Sequence, residues 1–287
     1  MPSASEGLTI ARARIAREQE KRSGFLDLGN LGLTQWPNEL WDLSHLTCLN
    51  LGVGWTDDSH GFHPAEPGIA YAPNTLPPTA AQPAWARLPH LHTLSLSGPR
   101  GDGSPWEDLS GLENLTQLRV LDLSWTSVAD LTPLADLTSL QVLDASYTFT
   151  SSLAPLTRLT ALRHLDLSYT DVADLSPVQA HTALQTLLCY HTPVASVAPL
   201  ASLPALRKLD LSQTQVTSLD PLAQLPALQT LHCAWTPVEN ISASLVRLPT
   251  LQTLILHETA LSNVPPHALS PDSATNCLEP LRAYLNP

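Results

Sequence analysis

The sequence predicts an α/β repeat solenoid, a pile of short parallel strands backed by a thin layer of turns, and three observations carry that prediction. A leucine recurs at Leu121, Leu143, Leu165, Leu187, Leu209, Leu231 and Leu254, at intervals of 22, 22, 22, 22, 22 and 23 residues. Around each one, apolar and polar residues alternate, as in Leu121, Asp122, Leu123 and Ser124; a period of two is that of a strand with one buried face. In the second half of the unit a proline recurs at Pro133, Pro155, Pro177, Pro199 and Pro221.

One such strand cannot bury its leucines alone. Stacked in parallel at about 4.8 Å, the copies merge their leucines into one core and pair each strand's backbone with its neighbours'. The proline column fixes φ and removes an N–H, which suits a tight turn or a 3₁₀ segment better than a long helix. The convex side should therefore be thin and the arc gently curved.

Written out, the unit is LxxLxLxxTxVxxLxPLxxL, with Thr126, Thr148, Thr170, Thr192, Thr214, Thr236 and Thr259 in one column. It resembles the short, internalin-like leucine-rich repeat, whose landmark LxxLxLxxNxL recurs at a period of about 20 to 29 residues, with threonine in place of asparagine. The resemblance implies a right-handed arc with a parallel concave β-sheet and helical caps at both ends. The threonine hydroxyls are expected to accept from and donate to backbone groups at the bend after each strand, forming a ladder.

Residues 1–23 read as an N-terminal capping helix, with Leu8, Ala11 and Ile15 on one face, laid over the open end of the stack. The solenoid follows over 24–265, about eleven rungs, with insertions near 52–68 and 98–108. Phe25 to Leu51 holds two rungs. The interval from Leu49 to Leu94 is 45 residues, room for a hidden rung in which Ile69, Tyr71, Asn74 and Leu76 take the repeat positions. The first insertion is expected to be a solvated loop beside the concave face, the second a glycine-rich flexible loop. An extra residue near Ser242 to Ser244 stands where proline stands elsewhere. Residues 266–287 are a C-terminal capping segment, with Asn276 and Glu279 spaced as a capping box and Leu278, Leu281, Tyr284 and Leu285 on one apolar face. That segment also resembles the junction before an effector domain in bacterial multidomain repeat proteins, which makes a sensor or autoinhibitory region the alternative role.

The chain carries 14 basic and 26 acidic residues, a net charge of −12. Five of the basic ones lie in the first 22 residues, leaving 9 basic against 23 acidic in the body. An acidic body repels phosphate, which argues against nucleic acid and anionic membranes and for a basic partner. No stretch approaches the roughly 20 apolar residues of a membrane span, and the N-terminus lacks a secretory apolar region. Cys189 and Cys233 fall on core-facing positions two rungs apart, roughly 10 Å and too far for a disulfide. Cys48 and Cys277 are isolated, so four free thiols point to a reducing, cytoplasmic setting.

No phosphate-binding, metalloprotease, nucleophile-elbow or paired-cysteine motif occurs, so the chain is read as non-catalytic with no cofactor. Asp57, Asp58, His60, His63 and Glu66 in the first insertion are metal-ligand types. With no regular element to fix their geometry, a metal or small-ligand site there is the second alternative. The informative residues face outward from the strands: Asp122, Asp144, Asp166 and Asp210 in one column, Trp125, Tyr147, Tyr169, His191 and Trp235 in another, and Tyr190 between them. Exposed rings beside carboxylates have the composition of a protein-binding surface. The expected partner is a protein or peptide, basic in character, held on the concave face.

Overall fold

Each regular repeat contributes one three-residue strand whose middle leucine points inward, and it is these leucines that set the register. In the computed structural model, which describes residues 4–56, 62–64, 73–76, 84–99, 106–269, 271–272 and 274–285, the chain forms two units, Met1–Thr150 and Ser151–Pro287. In the first unit the strands β1 (Phe25–Asp27), β2 (Cys48–Asn50), β5 (Thr93–Ser95), β6 (Val120–Asp122) and β7 (Val142–Asp144) pair in that order, all parallel. Leu26, Leu49, Leu94, Leu121 and Leu143 stand side by side, none more than 2% exposed. In the second unit β8 (His164–Asp166), β9 (Thr186–Leu188), β10 (Lys208–Asp210), β11 (Thr230–His232) and β12 (Thr253–Ile255) repeat the arrangement. There Leu165, Leu187, Leu209, Leu231 and Leu254 are all fully buried.

The back of each rung is as thin as the prolines demand. Pro133, Pro155, Pro177, Pro199 and Pro221 each sit in the first turn of a short 3₁₀ helix, where the absent N–H has no partner to lose. Where the extra residue stands near Ser242, the turn widens into a single α-helical turn, α2 (Ala243–Val246). Its N-cap Ser242 accepts the Leu245 N–H, as a serine at that position should.

Among the described residues the expected hidden rung is not a strand of the sheet. β2 pairs directly with β5, Leu49 opposite Leu94, so each unit's described residues supply five parallel strands, ten in place of the about eleven expected. Ile69 and Tyr71 lie outside the described residues, but Asn74 is placed, and it works without a strand. Its amide donates to Leu28 O and Leu51 O at 2.9 and 2.7 Å and its carbonyl accepts the Leu33 N–H. The first insertion is likewise not a bare loop. β3 (Gly54–Thr56) and β4 (Phe62–Pro64) form an antiparallel hairpin, Trp55 opposite His63, and β3 packs on β5 and β6. In the second insertion Trp106 is buried and joins Trp36, Trp41 and Trp85 in a cluster with ring centroids 5.1 to 6.0 Å apart.

Helix α1 (Ala4–Lys21) covers the free edge of β1. Ala11 and Ile15 are buried, and Arg14 donates to Asp27 O at 2.8 Å, filling an acceptor that a further strand would have used. Buried Glu18 ties the helix end down: it accepts from the Ser23 hydroxyl and the Gly24 N–H and contacts His45 Nε2 at 2.9 Å. Burial opposes its charge, but those hydrogen bonds hold the carboxyl below its ordinary range. At the other end, α3 (Leu278–Leu285) packs on β12 and α2 with Leu278 and Leu281 buried. Tyr284, expected on the apolar face, is 48% exposed. The capping box does not form as expected, because Glu279 pairs with Arg282 at 2.8 Å. Asn276 accepts the Leu254 N–H and donates to Gln252 O, doing for β12 what a next strand would do, and its Oδ1 also accepts the Leu278 N–H at 3.1 Å at the start of α3.

Gly7 is where α1 comes closest to the first rung: a Cβ there would lie 1.8 Å from Leu31 O. Helix propensity alone favours alanine by about 1 kcal/mol, so Gly7→Ala isolates the clash. The expected outcome is a net loss of about 1–3 kcal/mol, read as a lower urea midpoint at unchanged slope. An unchanged or higher midpoint would show that the helix has room to spare.

Candidate functional site

The outward residues at the end of each strand sit in a turn built the same way in rung after rung. The aspartate at the third strand position accepts the N–H of the residue two further on: Asp122 from Ser124, Asp144 from Ser146, Asp166 from Ser168 and Asp210 from Ser212, all at 2.9 Å. This is an Asx turn, which ends the strand. The threonine that closes the bend donates to the carbonyl three residues earlier, Thr126 to Leu123 O at 2.6 Å and Thr236 to Cys233 O at 2.8 Å. All seven threonines of the column donate in this way, each to the backbone at its own bend, as expected from the sequence. The links between rungs are backbone bonds, such as Trp125 N–H to Ser146 O and His191 N–H to Ser212 O.

Between the aspartate and the threonine the chain must reverse, and it does so by placing one residue in the left-handed region. Trp125, Tyr147, Tyr169, His191, Gln213, Trp235 and Glu258 all have φ between 50° and 60°. Glycine is the residue usually found there, and a side chain costs roughly 1–2 kcal/mol. The aromatic column read from the sequence is this column. Its rings interact: Trp125 and Tyr147 stack at 3.6 Å, Tyr169 and His191 at 4.7 Å, and Trp235 meets His257 edge-on at 5.2 Å. Tyr190 lies edge-on to Tyr169 at 5.1 Å. Its hydroxyl is held above its ordinary range, first by the hydrogen bond to Tyr169 and then by burial.

Trp235 is 42% exposed, His191 is exposed, and Trp125, Tyr147, Tyr169 and Tyr190 are half-buried. Asp144, Asp166 and Asp210 are half-buried too. Asp122 departs from the expectation: it is 3% exposed. The hairpin accounts for this, because Gly54 O on β3 accepts from Ser95 Oγ at 2.6 Å, and Ser95 Oγ lies 3.4 Å from Asp122 Oδ2. Burial therefore pushes the Asp122 carboxyl up. Burial first, and then the charge of Asp122, pushes Asp144 up to about 7.

Two features escaped the sequence reading. Phe149, two residues past Tyr147 of the column, is 64% exposed; in the sequence it stands out as an apolar residue at a polar position. Arg119, Arg163, Arg207 and Lys208 are exposed just before or at the first residue of their strands, so the face carries cations on the entry side as well as carboxylates on the exit side. Of the metal-ligand candidates, Asp57, Asp58, His60 and Glu66 lie outside the described residues. His63 is placed only as a backbone member of β4, and among the described residues no cluster suited to a metal occurs.

Two outcomes follow from the turn. Glu258 is exposed with φ 50°, so Glu258→Gly should stabilise the protein by up to about 1 kcal/mol in chemical denaturation; a loss would mean that the position is not strained. For Asp144 the folded state holds the proton more tightly than the unfolded chain, so its stabilising share is present in acid and lost as pH rises from about 4 to about 7. Asparagine keeps the acceptor for Ser146 and carries no charge. Asp144→Asn should therefore be more stable than the parent by about 1–2 kcal/mol near pH 8 and close to parity near pH 4, as urea titrations at the two pH values would show.

A family model for leucine-rich repeats, in two copies, matches residues 182–224 and 204–245. No curated protein sequence matches the chain. Among solved structures the fold is similar to internalin C2 of Listeria monocytogenes, with 26% identity over 79% of this chain and 92% of that one and a TM-score of 0.64. An internalin F of the same organism gives 22% identity over 99% of this chain and 92% of that one, also with a TM-score of 0.64. The repeat ectodomain of the plant membrane receptor kinase GASSHO1/SCHENGEN3 from Arabidopsis thaliana, in complex with CASPARIAN STRIP INTEGRITY FACTOR 2, gives 20% identity over 79% of this chain and 26% of that one, with a TM-score of 0.62. Repeat period, strand register, 3₁₀ backs and these likenesses agree: the chain folds as leucine-rich repeats, similar to the short repeats of the internalins.

Proposed function

We propose that residues 24–265 form a non-catalytic recognition surface, with 1–23 and 266–287 as caps, that binds a protein or peptide on the outward face of its strands. One observation carries the reading. Rung after rung places a side chain in the left-handed region where glycine would be relaxed, and the side chain is a ring at Trp125, Tyr147, Tyr169, His191 and Trp235. The fold has no need of rings there. Strain kept at successive positions is a reason to look for function at them, and Trp and Tyr are the residues that dominate binding energy at protein interfaces.

Tyr190 and the carboxylates Asp144, Asp166 and Asp210 complete the proposed contact set, and buried Asp122 drops out of it. The exit side of the face suits a basic segment, with the cations on the entry side setting its orientation. The plant receptor of the same fold is solved with a bound factor, which is the kind of task proposed here. The net charge of −12 disfavours nucleic acid and anionic lipid as partners, and no described helix is long and apolar enough to cross a membrane. All four cysteines are free, which fits work in a reducing compartment such as the cytoplasm.

The test is selection of binders from a displayed random-peptide library, followed by titration against two double variants, Trp125→Ala with Tyr147→Ala, and Tyr169→Ala with Trp235→Ala. At least one pair should weaken binding more than about tenfold with the far-ultraviolet spectrum unchanged. Selected peptides that bind both pairs as tightly as the parent would move the site elsewhere.

A further inference from the structure

In the second unit the charges are sorted along the rung. Between residues 151 and 265 the basic residues are Arg158, Arg163, Arg207, Lys208 and Arg247, and all five fall within the seven positions before the middle leucine of a strand. The seven acidic residues, from Asp166 to Glu258, all fall within the eleven positions after one. The two signs never mix, so one flank of the strands is basic and the other acidic.

The flanks also differ in how far their charges are already engaged. Asp166 and Asp210 each accept the N–H two residues on, and Asp210 Oδ2 lies 3.6 Å from His232 Nδ1. Arg163, Arg207 and Lys208 are exposed. Among the described residues none of these three side chains has an ion-pair or hydrogen-bond partner. Arg163 and Arg207 hold the same repeat position two rungs apart, about 10 Å at the parallel-strand spacing, and so do Asp166 and Asp210. The rung between them presents Gln185, Thr186 and Leu188 and is uncharged. From Arg163 to Asp166 is three residues of extended chain, again about 10 Å. Four charges thus frame a neutral rung, with one sign on each side.

We infer, resting on the reading above, that this face takes a peptide segment of both signs, extended along the row of strands, its acidic side chains over Arg163, Arg207 and Lys208 and its basic ones over Asp166 and Asp210. Successive side chains of an extended segment project to opposite sides, so an alternation of acid and base puts each sign on one edge. A wholly basic segment would set like charges against the entry flank, and a wholly acidic one against the exit flank. The acidic edge of the partner meets cations with no competing partner, so that edge gains most.

The experiment uses the full chain at low ionic strength and two end-capped peptides of identical composition. One is the alternating Glu-Lys-Glu-Lys-Glu-Lys-Glu-Lys, the other the blocked Glu-Glu-Lys-Lys-Glu-Glu-Lys-Lys, in which each edge carries both signs. The alternating peptide should bind about fivefold more tightly. In the variant Arg163→Gln with Arg207→Gln that ratio should fall towards one, and in Arg163→Glu with Arg207→Glu oligolysine should bind more tightly than the alternating peptide. Equal affinity for the two peptides, or binding of neither, would overturn the two-signed partner. Library-selected peptides that still lose affinity in Tyr169→Ala with Trp235→Ala would then leave the binding face standing. Selected peptides indifferent to both ring pairs would remove the face and this inference with it.

Discussion

Everything in this protein rests on parallel pairing in register between strands only three residues long. Such a strand has too few ladder bonds and too little apolar area to exist by itself; each is held because its neighbours hold the same leucine at the same height. Register is strict because a slip of one residue would turn Leu121 and its counterparts towards water. The rest of the rung is shaped by that requirement. The Asx turn stops the strand after its third residue, one left-handed residue reverses the chain, and the proline-led 3₁₀ turn brings it back within 22 residues. The core is consequently almost all leucine, and departures are informative. His181 stands at a leucine position, fully buried, with its two ring nitrogens 3.0 Å from Val178 O and Leu156 O.

Much of this was legible in the residues. Alternation at period two and recurrence at period 22 reveal the strands, and a proline at one fixed place reveals the 3₁₀ backs, because these signals are local and are repeated often enough to average out exceptions. The sign of φ at the Trp125 column was not legible. Nothing in a tryptophan or tyrosine announces a left-handed backbone, and only the geometry of the turn imposes one. The aspartate column was read from sequence for its outward carboxylates, while its bonds to the N–H two residues on give it a first duty in the turn. The hidden rung was misread because Asn74 has the identity of a repeat residue and, in part, its hydrogen bonds, while β2 and β5 close up without it. The hairpin was missed because its pairing spans an irregular insertion with no period to betray it.

The candidate site therefore differs between the two units for physical reasons. In the first, β3 covers the outward side of β5 and β6 and takes Asp122 out of water, so that Asp144 feels a buried charge beside it. In the second, no such strand lies over the face among the described residues, and tyrosine, histidine and tryptophan alternate with carboxylates in the open. The strained aromatic column is common to both. A fold selected for stability alone would relax those positions to glycine.

At the edge of β12 a single asparagine amide stands in for a strand. Asn276 satisfies one donor and one acceptor that the ladder leaves over, and Cys277 N–H supplies a third bond to Leu254 O. Closing the last strand's edge thus takes a few hydrogen bonds beside the packed helix α3, and nothing in the device depends on how many rungs came before it. Whole 22-residue units can be gained or lost upstream without redesigning this edge, which makes the number of rungs an evolutionary variable that is nearly independent of how the last strand is closed off.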